Sequence, residues 1–100
     1  MVLNEKERGA LEKLIDYAVA MNVPAWLPYF RNEENRKRMQ YQNGDDVVFG
    51  FIWGAVMGSY LPTLMPRLMS GTLNMEDLDE VKSIVYNRSD EIRQKIYESG

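Results

Sequence analysis

The feature that most constrains this chain is a run of twenty residues, 47–66, that contains no charged side chain. Within its sequence, VVFGFIWGAVMGSYLPTLMP, Gly50, Gly54 and Gly58 recur at every fourth position. Each glycine inside a helix costs roughly 1 kcal/mol relative to alanine, so three of them require a compensating interaction. The spacing places them on one side of a helix, where a row without side chains lets another helix backbone approach closely.

The ends of this helix are marked by its flanking residues. Asp45 and Asp46 come directly before the apolar run, where a carboxylate suits the positive end of the helix dipole and can cap it. We therefore expect a helix from Val47 to about Leu61, ended or kinked by Pro62. Because the other sides of this helix are also apolar, we expect it to be buried all round.

A membrane span at 47–66 is one interpretation of this run, since twenty helical residues reach about 30 Å. Pro62 and Pro66, however, interrupt its last third and leave a length more typical of a core helix. The helices predicted on either side have apolar stripes that need a central partner. The sequence therefore favours a buried helix of a soluble protein and leaves the span as an alternative.

The glycine row has two candidate neighbours. The first is another helix of the same chain. The second is a second copy of the chain, most simply in a two-fold dimer. Four of the seven methionines fall between positions 57 and 75, and flexible thioethers suit both irregular cores and adaptable binding surfaces. The residues predicted to form this helix-packing or interface site are Gly50, Gly54, Gly58, Trp53, Met57, Met65 and Met69.

The first half of the chain predicts two further helices. Residues 4–21 have an amphipathic stripe, a cap at Asn4 and a reciprocal capping partner at Glu7. Pro24 is expected to end this helix, because the residue before a proline avoids the helical region. After an extended or single-turn connector, a polar helix is predicted from about Pro28 to Gln42.

The last third predicts a short helix that ends at Gly71 and a longer one over residues 75–98. Asn74 is expected to cap the longer helix, with Leu73 and Leu78 packing across the cap as a hydrophobic staple. The helix could run unbroken to Glu98 or restart at Ser89. No segment has the alternation of a half-buried strand. The predicted fold is a single all-α domain, residues 1–100, a compact bundle of four to five helices around the Gly-xxx-Gly-xxx-Gly helix.

The composition argues against most catalytic chemistry. The sequence has no Cys and no His, which removes thiolate nucleophiles, His-based triads and tetrahedral zinc sites. We therefore expect no enzymatic activity, no catalytic residues, no metal and no cofactor. A net charge of −3 and a pI near 4.9 argue against general affinity for nucleic acid. The absence of Cys and of an apolar signal core near residue 1 favours a cytoplasmic location.

Two charged segments have alternative interpretations. Arg31, Arg36, Lys37 and Arg38 lie near aromatic side chains and could contact nucleic acid, although interspersed acids are more typical of a solvated helix face. Likewise, the carboxylates at positions 76, 79 and 80 could hold Mg²⁺ or act in acid/base chemistry, but acids are common in a first helical turn.

Taken together, the sequence predicts a small, soluble, non-catalytic helical protein that acts through protein–protein contact, as an adaptor, assembly subunit or small regulator. The expected partner is a second copy of the chain, with another protein as a further candidate. There are two alternatives. The first is a nucleic-acid-binding regulator that uses residues 31–38, and the second is a membrane-anchored protein with a span at 47–66.

Overall fold

The structure, a computed structural model, describes residues 3–99 and is helical almost throughout. Among these residues there is no strand, so the predicted all-α class is confirmed. The elements in chain order are α1 (Glu5–Arg31), α2 (Glu33–Met39), α3 (Gly44–Tyr60), a 3₁₀ turn (Leu61–Leu64), α4 (Met65–Met69), α5 (Met75–Asn87) and α6 (Ser89–Glu98).

Helix α1 begins as predicted but does not end at Pro24. Asn4 accepts a 2.7 Å hydrogen bond from the backbone of Glu7, whose carboxylate accepts one from the Asn4 backbone at 3.0 Å. The helix then continues through Pro24 and Pro28, so the predicted end was wrong. Prolines inside a helix cost about 3 kcal/mol or more. The apolar stripe offsets this cost, because three more large side chains beyond Asn22 are buried, each worth about 1.5–3 kcal/mol: Val23, Leu27 and Phe30.

The polar segment after α1 is shorter than predicted. A helix over 28–42 is wrong, because Asn32 leaves the helical conformation, ends α1 and caps α2 through its side chain. Helix α2 spans only Glu33–Met39 and buries no residue. Gln40, in the left-handed conformation with a φ of 60°, ends it.

Helix α3 starts three residues earlier than expected. The side chain of Asn43, not of Asp45 or Asp46, accepts from the first backbone amides, and both acids lie in the first turn. The first helical residue is Gly44, and a Cβ added there would lie 2.1 Å from the carbonyl oxygen of Phe30. Only glycine therefore allows the start of α3 to pack this closely on the end of α1.

Helices α1 and α3 form an antiparallel pair that contains most of the core. The end of α1 is joined to the start of α3 by a bidentate ion pair from Arg31 to Asp45, with N–O distances of 2.7 and 3.0 Å. At the other end, Tyr60 reaches back to the first turns of α1. The buried residues of α3 lie at every fourth position, at Val48, Ile52, Val56 and Tyr60.

Helices α5 and α6 cover one side of this pair. Asn74 caps α5 as predicted, in a reciprocal box with Asp77. The helix ends at Asn87 and α6 begins at Ser89, which decides between the two alternatives for residues 75–98. Both helices turn an apolar stripe toward the core, and the buried members of these stripes are Val81, Val85, Ile92 and Ile96.

The molecule is elongated, with extents of 48 × 24 × 18 Å. Its Cα radius of gyration is 15.4 Å, against about 13 Å for a typical compact domain of this length. The compact arrangement predicted for the bundle is therefore not confirmed. Helices α1 and α3 form a long pair, and α5 and α6 pack against it. This shape leaves a large part of α3 outside the core.

Candidate interaction surface

The glycine row lies on the side of α3 opposite its buried residues. Gly50, Gly54 and Gly58 are all exposed, and a Cβ added at any of them would meet no atom within 4 Å. The expectation that α3 is buried all round is therefore wrong. Among residues 3–99 no helix of the same chain fills the row, because α1 and α6 pack on the other sides of α3.

An exposed aromatic pair lies at the first end of this surface. Phe51 is 40% exposed, and its ring centroid lies 5.3 Å from that of Trp26, which is 38% exposed. The pair joins α3 to α1, and it continues into edge-to-face contacts between Tyr29 and its neighbours Trp26 and Phe30. We call Trp26 and Phe51 the aromatic ridge. Sequence reasoning missed it, although residues 17–30 are also free of charged side chains.

An apolar groove lies beyond the last turn of α3, between the 3₁₀ turn, α4 and the start of α5. Its volume is about 330 Å³, and its lining is almost entirely apolar. We call it the leucine groove; its lining residues are Leu61, Leu64, Met65, Leu68, Leu73 and Leu78. The predicted staple pair, Leu73 and Leu78, was the sequence signal for it. Met65 is 47% exposed and Leu68 56% exposed, so its mouth is open to solvent.

The structure separates the residues predicted for the interface into two groups. The three glycines are exposed, as are Met65 and Met69, whose exposed fractions are 47% and 83%. Trp53 and Met57, by contrast, are partly buried against the core. Trp53 lines a different cleft of about 560 Å³ between α3 and α5–α6, whose rim includes Lys82 and Arg93.

The basic segment is largely neutralised by carboxylates. Arg36 forms a two-contact ion pair with Glu33, and Arg38 pairs with Glu34 at 3.1 Å. The hydrogen bond from Arg36 lowers the pKa of Glu33, and Arg31 likewise lowers the pKa of Asp45. Three of the four cations predicted to contact nucleic acid therefore already have a carboxylate partner. This arrangement weakens the electrostatic case for a phosphate-binding surface.

The acids of α5 have structural contacts. Glu80 accepts from Arg8 at 2.9 Å and from the backbone of Leu3, while Asp79 lies 3.7 Å from Lys82. Within residues 3–99, no group of three or more metal-ligating side chains is arranged to hold an ion. These acids therefore have no geometry that favours a Mg²⁺ site.

One helical run, Gly44–Met69, is long and apolar enough to cross a membrane by length and composition. Core helices of soluble proteins pass the same test, but they are mostly buried, and only 28% of the most apolar stretch of this run is buried. Most residues of that stretch are therefore at least partly exposed.

Comparisons with protein-family models, curated proteins and solved structures gave no match. The candidate interaction surface has three parts, the aromatic ridge, the glycine row and the leucine groove, and all of their side chains are uncharged. We call the three parts together the uncharged strip.

Proposed function

We propose that this protein acts through protein–protein contact and associates with itself through the uncharged strip. The single observation that supports the proposal is the exposed glycine row between the aromatic ridge and the leucine groove. Contiguous exposed apolar surface on a soluble protein is typical of an interaction site. The three glycines weaken α3 by roughly 1 kcal/mol each, and a close helix–helix contact would offset that cost.

Charges beside the uncharged segments favour a protein partner over a membrane span. Helix α6 packs against both α1 and α3. It places Glu91 and Lys95 in a groove with Val19 and Val23, at the middle of the uncharged part of α1. A bilayer that surrounded α1 and α3 would have to take these charges to the depth of the hydrocarbon, at a cost of several kcal/mol. A flat protein surface on the strip alone leaves them in water.

The proposal is tested by sedimentation velocity between about 1 and 100 µM, on the wild type and two glycine variants. We expect a concentration-dependent dimer for the wild type and a monomer for Gly54→Leu, because a leucine side chain would hold the partner helix away. Gly9→Leu is the matched control. It makes the same substitution at another helical glycine with open space around it, outside the strip, and should remain dimeric.

Wild-type protein that stays monomeric at 100 µM would overturn the proposal. Flotation with phosphatidylcholine vesicles tests the membrane alternative in parallel. Wild-type protein that floats with the vesicles and does not dimerise in buffer would assign the strip to lipid.

A further inference from the structure

We infer that the cleft between α3 and the α5–α6 pair binds a free aromatic amino acid. The cleft has a volume of about 560 Å³, shares no lining residue with the uncharged strip, and does not depend on the self-association proposed above. Clefts of about 300–1,000 Å³ with apolar walls and a few converging polar groups are the usual sites for small molecules. The class of ligand follows from the groups that line this cleft, which are an aromatic wall, two cations and a carboxylate.

The wall of the cleft on α3 is aromatic. Phe49 and Trp53 are about one helical turn apart and both pack partly against the core, so the wall is held in place. The guanidinium of Arg93 covers one face of Phe49, with its Cζ 4.0 Å from the ring centroid. Among residues 3–99 the ring of Trp53 has no aromatic or cationic stacking partner. It is therefore the ring against which an aromatic ligand would lie.

Two cations on the cleft have donors that no protein group uses. Nη1 of Arg93 donates to Asp46 at 2.9 Å, and this bond together with the stacking on Phe49 fixes the guanidinium. Within the part of the chain that the structure describes, its Nε and Nη2 have no acceptor. The Lys82 ammonium lies 3.7 Å from Asp79, beyond hydrogen-bond distance, in an exposed pair. A carboxylate in the cleft would accept hydrogen bonds from these donors.

Asp90 supplies the opposite charge. It lines the same cleft three positions before Arg93 on α6, at a spacing that normally allows a helical ion pair. Arg93 instead reaches across to Asp46 on α3, and Asp90 has no hydrogen bond or ion pair with any residue in the described range 3–99. Side chains three apart on a helix have Cβ atoms about 5–6 Å apart. One small molecule can therefore contact both charges at once.

An aromatic amino acid has the complement of these groups. Its α-carboxylate would accept from Arg93 and Lys82. Its α-ammonium would donate to Asp90, and its ring would lie against Trp53. Because the zwitterion has no net charge, the net charge of −3 on the chain does not repel it. A nucleotide would bring its negative phosphates close to the three aspartates at and around the cleft, which is unfavourable.

Three ligands that share a phenyl ring test the proposal. They are phenylalanine, phenylpropionate, which lacks the ammonium, and phenethylamine, which lacks the carboxylate. Binding is measured by calorimetry on the wild type and by fluorescence on Trp26→Phe, in which Trp53 is the only tryptophan. Phenylalanine should bind about tenfold more tightly than either of the others, because each of them lacks one charge-assisted contact. Phenylalanine that does not bind at millimolar concentration, or that binds no more tightly than both others, would overturn the proposal.

Two variants assign the contacts, and circular dichroism checks that they fold. Asp90→Asn should weaken phenylalanine about tenfold and leave phenylpropionate unchanged, since only the ammonium contacts this carboxylate. Lys82→Gln should weaken phenylalanine and phenylpropionate and leave phenethylamine unchanged. The controls are Glu76→Gln and Lys37→Gln, at exposed charges that do not line the cleft. If the controls weakened phenylalanine as much as Asp90→Asn and Lys82→Gln do, the assignment to this cleft would be wrong.

Discussion

The hydroxyl of Tyr60, at the end of α3, donates a 2.9 Å hydrogen bond to the backbone carbonyl of Glu7, near the start of α1. Tyr60 is completely buried, and burial raises the pKa of its hydroxyl, which therefore stays protonated as a donor. The bond joins residues 53 positions apart in the chain. It connects the two helices at the far end of the antiparallel pair.

Tyr60→Phe should keep the packing and remove only this bond. We expect a loss of about 1 kcal/mol in the free energy of unfolding, measured by urea denaturation. Tyr60→Ala removes the ring as well and should cost about 3–5 kcal/mol. Equal losses for the two variants would contradict the view that packing contributes most at this position.

Two glycine-to-alanine substitutions in α3 should have opposite effects. At Gly54 the new methyl group meets open space, so Gly54→Ala should stabilise the monomer by about 1 kcal/mol through higher helix propensity. At Gly44 it would lie 2.1 Å from the carbonyl oxygen of Phe30, and Gly44→Ala should destabilise by about 1–3 kcal/mol. Thermal unfolding at sub-micromolar concentration, where dimers dissociate, measures both. If Gly54→Ala lowered the melting temperature instead, the glycine row would be packed against another part of the same chain.

Acid should weaken the fold partly through Asp77. The backbone amide of Asn74 and the guanidinium of Arg67 lower the pKa of this buried carboxyl below its ordinary value near 4. A lowered folded-state pKa contributes stability above the unfolded-state pKa, and this contribution is lost as the pH falls toward the folded-state pKa. Urea midpoints between pH 6 and pH 2 should therefore fall less steeply for Asp77→Asn than for the wild type. If the urea midpoints of Asp77→Asn and the wild type fell equally steeply with pH, this contribution would be ruled out. The control is Asp79→Asn, which changes an exposed carboxyl.

Arg67 should matter more for stability than an exposed arginine. It lies 2.9 Å from the buried Asp77 and 3.3 Å from Glu7, so it connects α4 with α5 and α1. Arg67→Met leaves the buried carboxylate without its cation, which is costly. Arg38→Met breaks only an exposed pair with Glu34 and should change stability little. Equal urea midpoints for the two variants would mean that the Arg67 pairs contribute no more than surface ones.

Local signals in the sequence predicted local structure well. Caps at Asn4 and Asn74 depend on residues within three positions of each other, and both are present. The predicted end of α1 was wrong because it considered only the local effect of Pro24 on neighbouring residues. The helix continues beyond Pro24 because its later apolar side chains are buried against α3 and α6, which the local sequence does not show. The Asn43 cap was missed since Asn43-Gly44 also fits a helix end.

The candidate site was predictable in part. The uncharged run and the spacing of Gly50, Gly54 and Gly58 are visible in the sequence, and the structure places these glycines on one exposed surface. Their role as an interface stays a prediction. The aromatic ridge could not be predicted, because Trp26 and Phe51 are 25 positions apart and meet only when α1 packs on α3.

By itself, the sequence determined that the chain is helical and that one long segment carries no charge. Capping signals, apolar spacing and charge are properties of neighbouring residues, so they can be identified without the tertiary structure. Only the tertiary structure decided which side of α3 is buried. An apolar helix with a smooth side and a bulky side can pack on either one, and the choice follows from the free energy of contact with α1 and α6. These helices cover the side chains at every fourth position from Val48 and leave the glycines to solvent.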